Sequence, residues 1–317
     1  MHQTSFPRLR FAPGLAIRIG TLAMLALFVL GSGCKKKADS SPEGAASGSA
    51  SGKKQSIQNI GSDTMVNLAQ AWAEEYAKVE PNVSIEVSGG GSGVGIAALL
   101  NKTADIANCS RKIEPEETEK AKAAGGHPTE FLVGYDGLAI YVHKSNPLDS
   151  ISLEELGNIY REDGKLTKWS ELGVKEIPGA KSDDIIRISR QNNSGTYHYF
   201  REAVVGKKHD FKGGSLDMNG SKDVVEQVAK TPGAIGYSGL GYATPAVKIL
   251  KVSKMKGEPG VVPSIATVHD KTYPISRPLL MYTPDNPTPA AKKYLEWAMS
   301  EAGQKIVAAT GYVPLVK

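Results

Sequence analysis

Three short stretches combine glycine with hydroxyl side chains in the way an oxyanion site requires: GSDTM at 61–65, GGGSGVGI at 89–96 and SRQNNSGTYHYF at 189–200. Each falls where an apolar strand pattern gives way to a helical one. The first turn of a helix exposes backbone N–H groups with no partner inside the helix, at the positive end of the peptide dipole. Glycine lets that backbone approach a ligand closely, and serine and threonine add hydroxyl donors. The sum is an anion site. Arg190, four residues before Ser194, adds a planar fork of donors suited to oxyanions. Any one of these turns is equally an ordinary helix start, since Ser, Thr and Asp are favoured caps. Three of them with an arginine favour the anion reading. GGGSGVG lacks the lysine of a nucleotide P-loop and does not continue into a dinucleotide fingerprint.

Other chemistry finds less support. The six histidines (2, 127, 143, 198, 209, 269) have no metal-cluster spacing, so neither metal nor cofactor is expected. His198, two residues past the third turn, reads as a structural helix residue. Cys109, in the apolar stretch DIANC, reads as a buried free thiol. Ser194 is the best hydroxyl nucleophile candidate, but no base stands at fixed spacing and no GxSxG elbow surrounds it, so no catalytic residue is expected. Trp72, Trp169 and Trp297 read as packing residues.

The elements that must position these turns alternate. From Ile57 short apolar strands (IQNIG, VSIEVSG, DIANC, GYDGLAIYVHK, IIRISR, AIGYSG, VKILKV) exchange with helical patterns. Met65, Leu68, Ala69, Trp72, Tyr76 and Val79 recur at three and four, one face of a helix that Pro81 stops. EPEETEKAKAAG carries acids first and glycine last, the polarity of a capped helix. PAAKKYLEWAMSEAGQKIVAAT reads as one long C-terminal helix. Such alternation argues for parallel-rich sheets covered by helices, in two α/β domains with a cleft between them.

The formal charge of +5 belongs to one end of the chain. Residues 1–33 carry Arg8, Arg10 and Arg18 with no acid; residues 34–55 carry five lysines against Asp39 and Glu43; the body, 56–317, is left at −1. A basic nucleic-acid-binding domain is thereby disfavoured. LAIRIGTLAMLALFVL at 15–30, preceded by Arg8 and Arg10 and closed by GSGC, is an export signal, short for a membrane span. The following KKKADSSPEGAASGSASGKK is small and polar, a flexible tether.

The N-terminal pattern resembles a bacterial lipoprotein signal cleaved before Cys34, although Gly31 stands where the family's signal usually has Leu and Leu30 is one position further back. The resemblance implies diacylglycerol on the Cys34 thiol and a further acyl chain, such as palmitate, on the new N-terminus. Two chains hold a protein to a membrane where one is marginal.

The body resembles the periplasmic phosphate-binding protein of the ABC phosphate importer, over about 57–317. The pieces that carry the resemblance are GSDTM, SGGGSGVGIAALLNKTADIANCSRKI, YDGLAIYVHKSNP, SRQNNSGT, GAIGYSGLGYA and YPISRPLLMYT. It implies a type II periplasmic-binding-protein fold: two α/β domains joined by hinge strands, closing on phosphate. Domain 1 would be about 56–140 plus 247–317 and domain 2 about 141–246, with linkers near 136–143 and 243–251. The ligand positions carried over are Thr64 and Met65 of the first turn, Ser92 of the glycine loop, and Arg190, Ser194, Gly195 and Thr196 of the third. The best-known members place an Asp eighteen residues after the loop serine to accept a phosphate proton. Here that residue is Ser110, followed by Arg111. A hydrogen phosphate brings an O–H that a carboxylate accepts best. Asp136 is the preferred substitute and Asp63 the other candidate. Arg111 is read as a second oxyanion clamp or as a rim residue paired with an acid, the clamp being preferred.

The expected function is high-affinity phosphate binding and delivery to inner-membrane ABC permease subunits. The expected molecule is a lipid-anchored, extracytoplasmic monomer without enzymatic activity. The missing Asp keeps open a receptor for sulfate, molybdate or tungstate. An exported phosphate-ester hydrolase is the alternative of another class.

Overall fold

The first described strand starts at Gln55 and runs straight into the first glycine turn, which places Thr64 ten residues into the fold. The structure, a computed structural model, describes residues 54–315. The export signal, Cys34 and the tether as far as Lys53 lie outside the described residues. The chain runs β1 (Gln55–Gly61), a 3₁₀ turn at Asp63–Met65, α1 (Val66–Val79), β2 (Val83–Ser88), α2 (Ser92–Leu100), β3 (Ile106–Cys109), α3 (Pro115–Ala123) and β4 (Thr129–His143). It continues through β5 (Ser150–Ser152), α4 (Leu153–Tyr160), β6 (Ile186–Arg190), α5 (Gly195–Phe200), β7 (Leu216–Met218), α6 (Ser221–Lys230), β8 (Ala234–Gly239), β9 (Val247–Ile249) and β10 (Lys251–Ser253). The last elements are α7 (Ile265–His269), β11 (Ser276–Thr283), α8 (Pro289–Met299) and α9 (Glu301–Ala309).

The local chemistry explains where the helices begin and end. Ser152 and Glu155 form a capping box at α4: Ser152 Oγ accepts from Glu155 N at 3.2 Å, and Ser152 N donates to the Glu155 carboxylate at 3.0 Å. In α3, Pro115 occupies the first turn, acids follow it and lysines close it, and Gly125 takes the left-handed conformation just beyond. On α1 the three-and-four pattern buries Leu68, Ala69, Trp72 and Tyr76, while Val79, at the helix end, is exposed. Trp72 Nε1 donates to Gly303 O at 2.8 Å, so its polar edge is satisfied inside the core.

The sheet order is β2-β1-β3-β11-β4-β8-β6-β7, with β9 also beside β4; β5 and β10 make a small parallel pair of their own. The outer strands pair in parallel: β1 with β2 and β3, and β6 with β7 and β8. The middle is antiparallel, because β11 runs against both β3 and β4, and β4 against β8. β4 serves both halves. Its first part, Thr129–Gly137, pairs with β11, and Leu138–Val142 pairs with β8. Two large cores follow that change of partner. One joins Ile57, Leu68, Trp72, Val133, Met281 and Tyr294. The other joins Leu138, Ile140, Ile159, Phe200, Tyr237 and Ile275.

Two expectations need correction. The long C-terminal helix is two helices: Ser300 is extended, ends α8 and caps α9. VKILKV is two strands, because Leu250 between them is buried and donates its N–H to Ile140 O at 2.9 Å while β9 and β10 pair with different partners. The segment from β9 to Ile275 packs with the Leu138 core: Leu250, Val252, Val268, Tyr273 and Ile275 all belong to it. Beyond Ile275 the chain passes to Leu279 and Met281 of the Trp72 core.

Candidate functional site

The glycine and third turns meet face to face at the starts of α2 and α5. Gly91 precedes Ser92, and Ser194 caps α5 by accepting the Thr196 N–H on its Oγ at 3.1 Å. Gly93 N donates to Asn193 O at 3.1 Å, and Asn193 Nδ2 donates to Gly90 O at 3.0 Å. Gly195 explains how the two loops come so near. A Cβ there would lie 2.7 Å from Ser110 Oγ and closer still to Ser92 Oγ. Ser92 and Ser110 are themselves linked, since Ser110 N donates to Ser92 Oγ at 3.1 Å and Ser62 Oγ donates to Ser110 Oγ at 2.9 Å. One buried hydroxyl group of the site thus comprises Ser62, Ser92 and Ser110.

A second group comprises Thr64, Thr196 and Ser221. The Oγ1 atoms of Thr64 and Thr196 are 3.0 Å apart, and Ser221 Oγ is 3.5 Å from Thr64 Oγ1. Arg190 reaches Ser221 Oγ (3.1 Å), Asn219 O (2.8 Å) and the Asp63 carboxylate (2.9 Å), and its Nε is buried without a protein partner. Burial pulls the Arg190 guanidinium below its usual pKa, and Asp63 acts against that shift. Asp63 also accepts the Gly90 N–H at 2.9 Å, tying the first turn to the glycine loop. Met65 N–H donates to Ser62 O at 2.9 Å, which completes the 3₁₀ turn and leaves it facing the backbone.

Arg277 is the residue that sequence reasoning missed. It stands opposite Asp136 in the β4–β11 register. Its Nε and Nη2 donate to Asp136 Oδ2 at 3.0 and 2.8 Å, its Nη2 to Thr64 Oγ1 at 3.1 Å and its Nη1 to Thr196 Oγ1 at 3.1 Å. Its guanidinium also lies 5.7 Å from the centre of the Tyr199 ring. Asp136 Oδ1 accepts the Leu240 N–H at 3.2 Å. Burial pushes the Asp136 carboxyl above its usual range, while Arg277 and the Leu240 N–H pull the other way. Expected as a proton acceptor for the ligand, Asp136 thus spends its oxygens on Arg277 and a backbone amide. The signal for Arg277 in the sequence is a lone arginine inside the apolar strand SRPLLMYT.

Arg111 departs from the preferred expectation. Its Nη1 and Nη2 each donate to the Glu117 carboxylate at 2.7 Å, and Nη1 also reaches Lys112 O at 2.9 Å. Burial opposes the charge, but Glu117 raises the guanidinium above its usual value through hydrogen bonds and charge. The fork is taken by an acid, the rim-residue arrangement, because α3 presents Glu117 directly to it. His198 Nε2 donates to Asn192 O (2.8 Å), and the ring faces Glu114 at 3.6 Å. Cys109 is a buried free thiol, held protonated by burial. Among the described residues no group of three His, Cys, Asp or Glu could hold a metal ion.

Converging hydroxyls, paired helix starts and two buried arginines in a mixed α/β fold define a binding protein for a small oxyanion. The chain belongs to the PBP superfamily, whose domain model matches residues 42–302, and within it to the family of phosphate-binding proteins of ABC transport. It is 34% identical over 279 residues to the phosphate-binding protein PstS of Pseudomonas aeruginosa, covering 84% of this chain and 85% of the relative. It is 31% identical over 298 residues to PstS of Bacillus subtilis, covering 93% and 92%. A substrate-binding protein assigned to phosphate ABC transport in Clostridium perfringens, solved with bound phosphate, superposes with a TM-score of 0.73 at 31% identity, covering 82% of this chain and 100% of that one.

Proposed function

We propose that the chain binds inorganic phosphate outside the cytoplasm and delivers it to the permease of an ABC importer, as a receptor and without covalent chemistry. The observation that carries this reading is the meeting of Ser92 at the start of α2 with Gly195 at the start of α5, beside Thr64, Thr196 and buried Arg190. Thr64, Ser92, Arg190, Ser194, Gly195 and Thr196 are the ligand-facing set in this proposal, with Ser110 taking the place of the acid beside Ser92. Hydroxyls can donate to one phosphate oxygen and accept from a P–OH, which lets Ser110 share the proton that an Asp would take.

The two lobes proposed for closure are those expected from the resemblance, 56–140 plus the C-terminal part and 141–246, with Val247–Ile275 assigned to the second lobe. The separate cores around Trp72 and around Phe200 support that division. The anchor is proposed at Cys34, and the working form as a monomer. The test is a melting curve on protein stripped of phosphate by unfolding and refolding. Phosphate at a hundred times its dissociation constant should stabilise the fold by about 2.7 kcal/mol. No shift at millimolar phosphate would sink the reading. Ser110 motivates one comparison: sulfate, which has no proton to share, should compete weakly, and parity with phosphate would favour a general oxyanion receptor.

A further inference from the structure

Arg277 and Asp136 sit where the chain passes between the two cores, on neighbouring strands, and both are fully buried. Such a pair is weak support for stability, because desolvating two charges offsets most of their attraction. Its geometry points to a different task. The guanidinium divides its donors between Asp136 on one side and Thr64 and Thr196 on the other. Thr64 belongs to the first turn and Thr196 to the third, so one side chain touches both walls of the cleft. Arginine has donors only. A hydroxyl oxygen that accepts from it must point its own hydrogen elsewhere, and Arg190 imposes the same on Ser221. Thr64 and Thr196 lie 3.0 Å apart and share one hydrogen between them, so one hydroxyl of that pair, like Ser221, keeps its hydrogen for an anion.

We propose that Arg277 is a second arginine of the anion site, that Asp136 is its positioning residue, and that together with the oriented Thr64 and Thr196 hydroxyls it makes the site select the dianion of phosphate. The proposal rests on the phosphate reading above. Charges in the site balance in pairs, Arg190 with Asp63 and Arg277 with Asp136. Removing the Arg277 charge leaves an excess of carboxylate, which opposes a dianion more than a monoanion. The other ionisable groups around Arg277 are Tyr199 and Tyr312. Burial pushes Tyr199 up to about 12 and raises Tyr312 well above its ordinary value, so both stay neutral while phosphate titrates.

The experiment is a phosphate titration of the full chain by calorimetry at several pH values spanning the second ionisation of phosphate. The wild type, Arg277→Gln and the charge-balanced double variant Asp136→Asn/Arg277→Gln are compared. Wild-type affinity should rise with pH. Arg277→Gln should bind roughly ten- to a hundredfold more weakly, with a deficit that grows as pH rises. The double variant, which keeps no buried charge unpaired, should fold and still bind at least about tenfold more weakly than the wild type; it carries the test if the single variant does not fold. A double variant that matches the wild type, or a deficit constant across pH, overturns the proposal while leaving phosphate binding intact. A wild type that binds no phosphate overturns both readings.

Discussion

At residue scale the site depends on how little space separates the two loops. Gly195 packs against Ser92 and Ser110 with no room for a β-carbon. Gly195→Ala must therefore push the starts of α2 and α5 apart, a strain of about 1–3 kcal/mol. Phosphate affinity should fall roughly tenfold or more, measured by calorimetry, while far-UV circular dichroism stays unchanged. Unaltered affinity would mean that the two helix starts do not share a ligand. Individual residues also mark the limit of what can be read from the chain. Thr64, Ser92, Arg190 and Thr196 announce themselves, because hydroxyls and glycine at a strand-to-helix junction have a local meaning. Arg277 and Asp136 do not. They are 141 residues apart, and each acquires its meaning only when β4 and β11 pair. Arg111 shows the converse: its proximity to the turn suggested a clamp, but an acid six residues away, brought round by one turn of α3, takes its fork.

At element scale, periodicity and capping predicted the helices well where the signal is local. The acid-first, glycine-last order of α3 is one such signal; the structure adds a capping box of Ser152 and Glu155 that starts α4 directly after β5. Ser152→Ala removes the acceptor for Glu155 N, and should cost about 1 kcal/mol in chemical denaturation, with phosphate affinity unchanged. A loss of binding instead would mean that α4 communicates with the cleft. The split of the C-terminal helix was not legible, because Ser300 is compatible with a helix interior and the break depends on how α8 and α9 each pack. The antiparallel centre of the sheet was hidden for a related reason. A run such as YDGLAIYVH shows that a strand is buried, but carries no mark of its partner's direction.

At the scale of the whole molecule, charge and function separate. The net positive charge lies before Gln55, and the proposed anion site draws on helix starts and two paired arginines rather than on net charge. Cys34 lies outside the described residues, so the anchor is tested in the cell envelope. The mature protein should partition with the detergent phase, and Cys34→Ser should move it to the aqueous phase. Equal partitioning would argue for a freely secreted receptor. The long strand β4, shared by both cores, suits a hinge on which two lobes close, and closure requires only a ligand that binds the closed form better. The most direct measurement is isothermal titration of the phosphate-stripped chain with inorganic phosphate. The account predicts saturable binding at a stoichiometry of one, displaced little by sulfate. Absence of heat at every temperature tried, with no change in the melting curve, would contradict it.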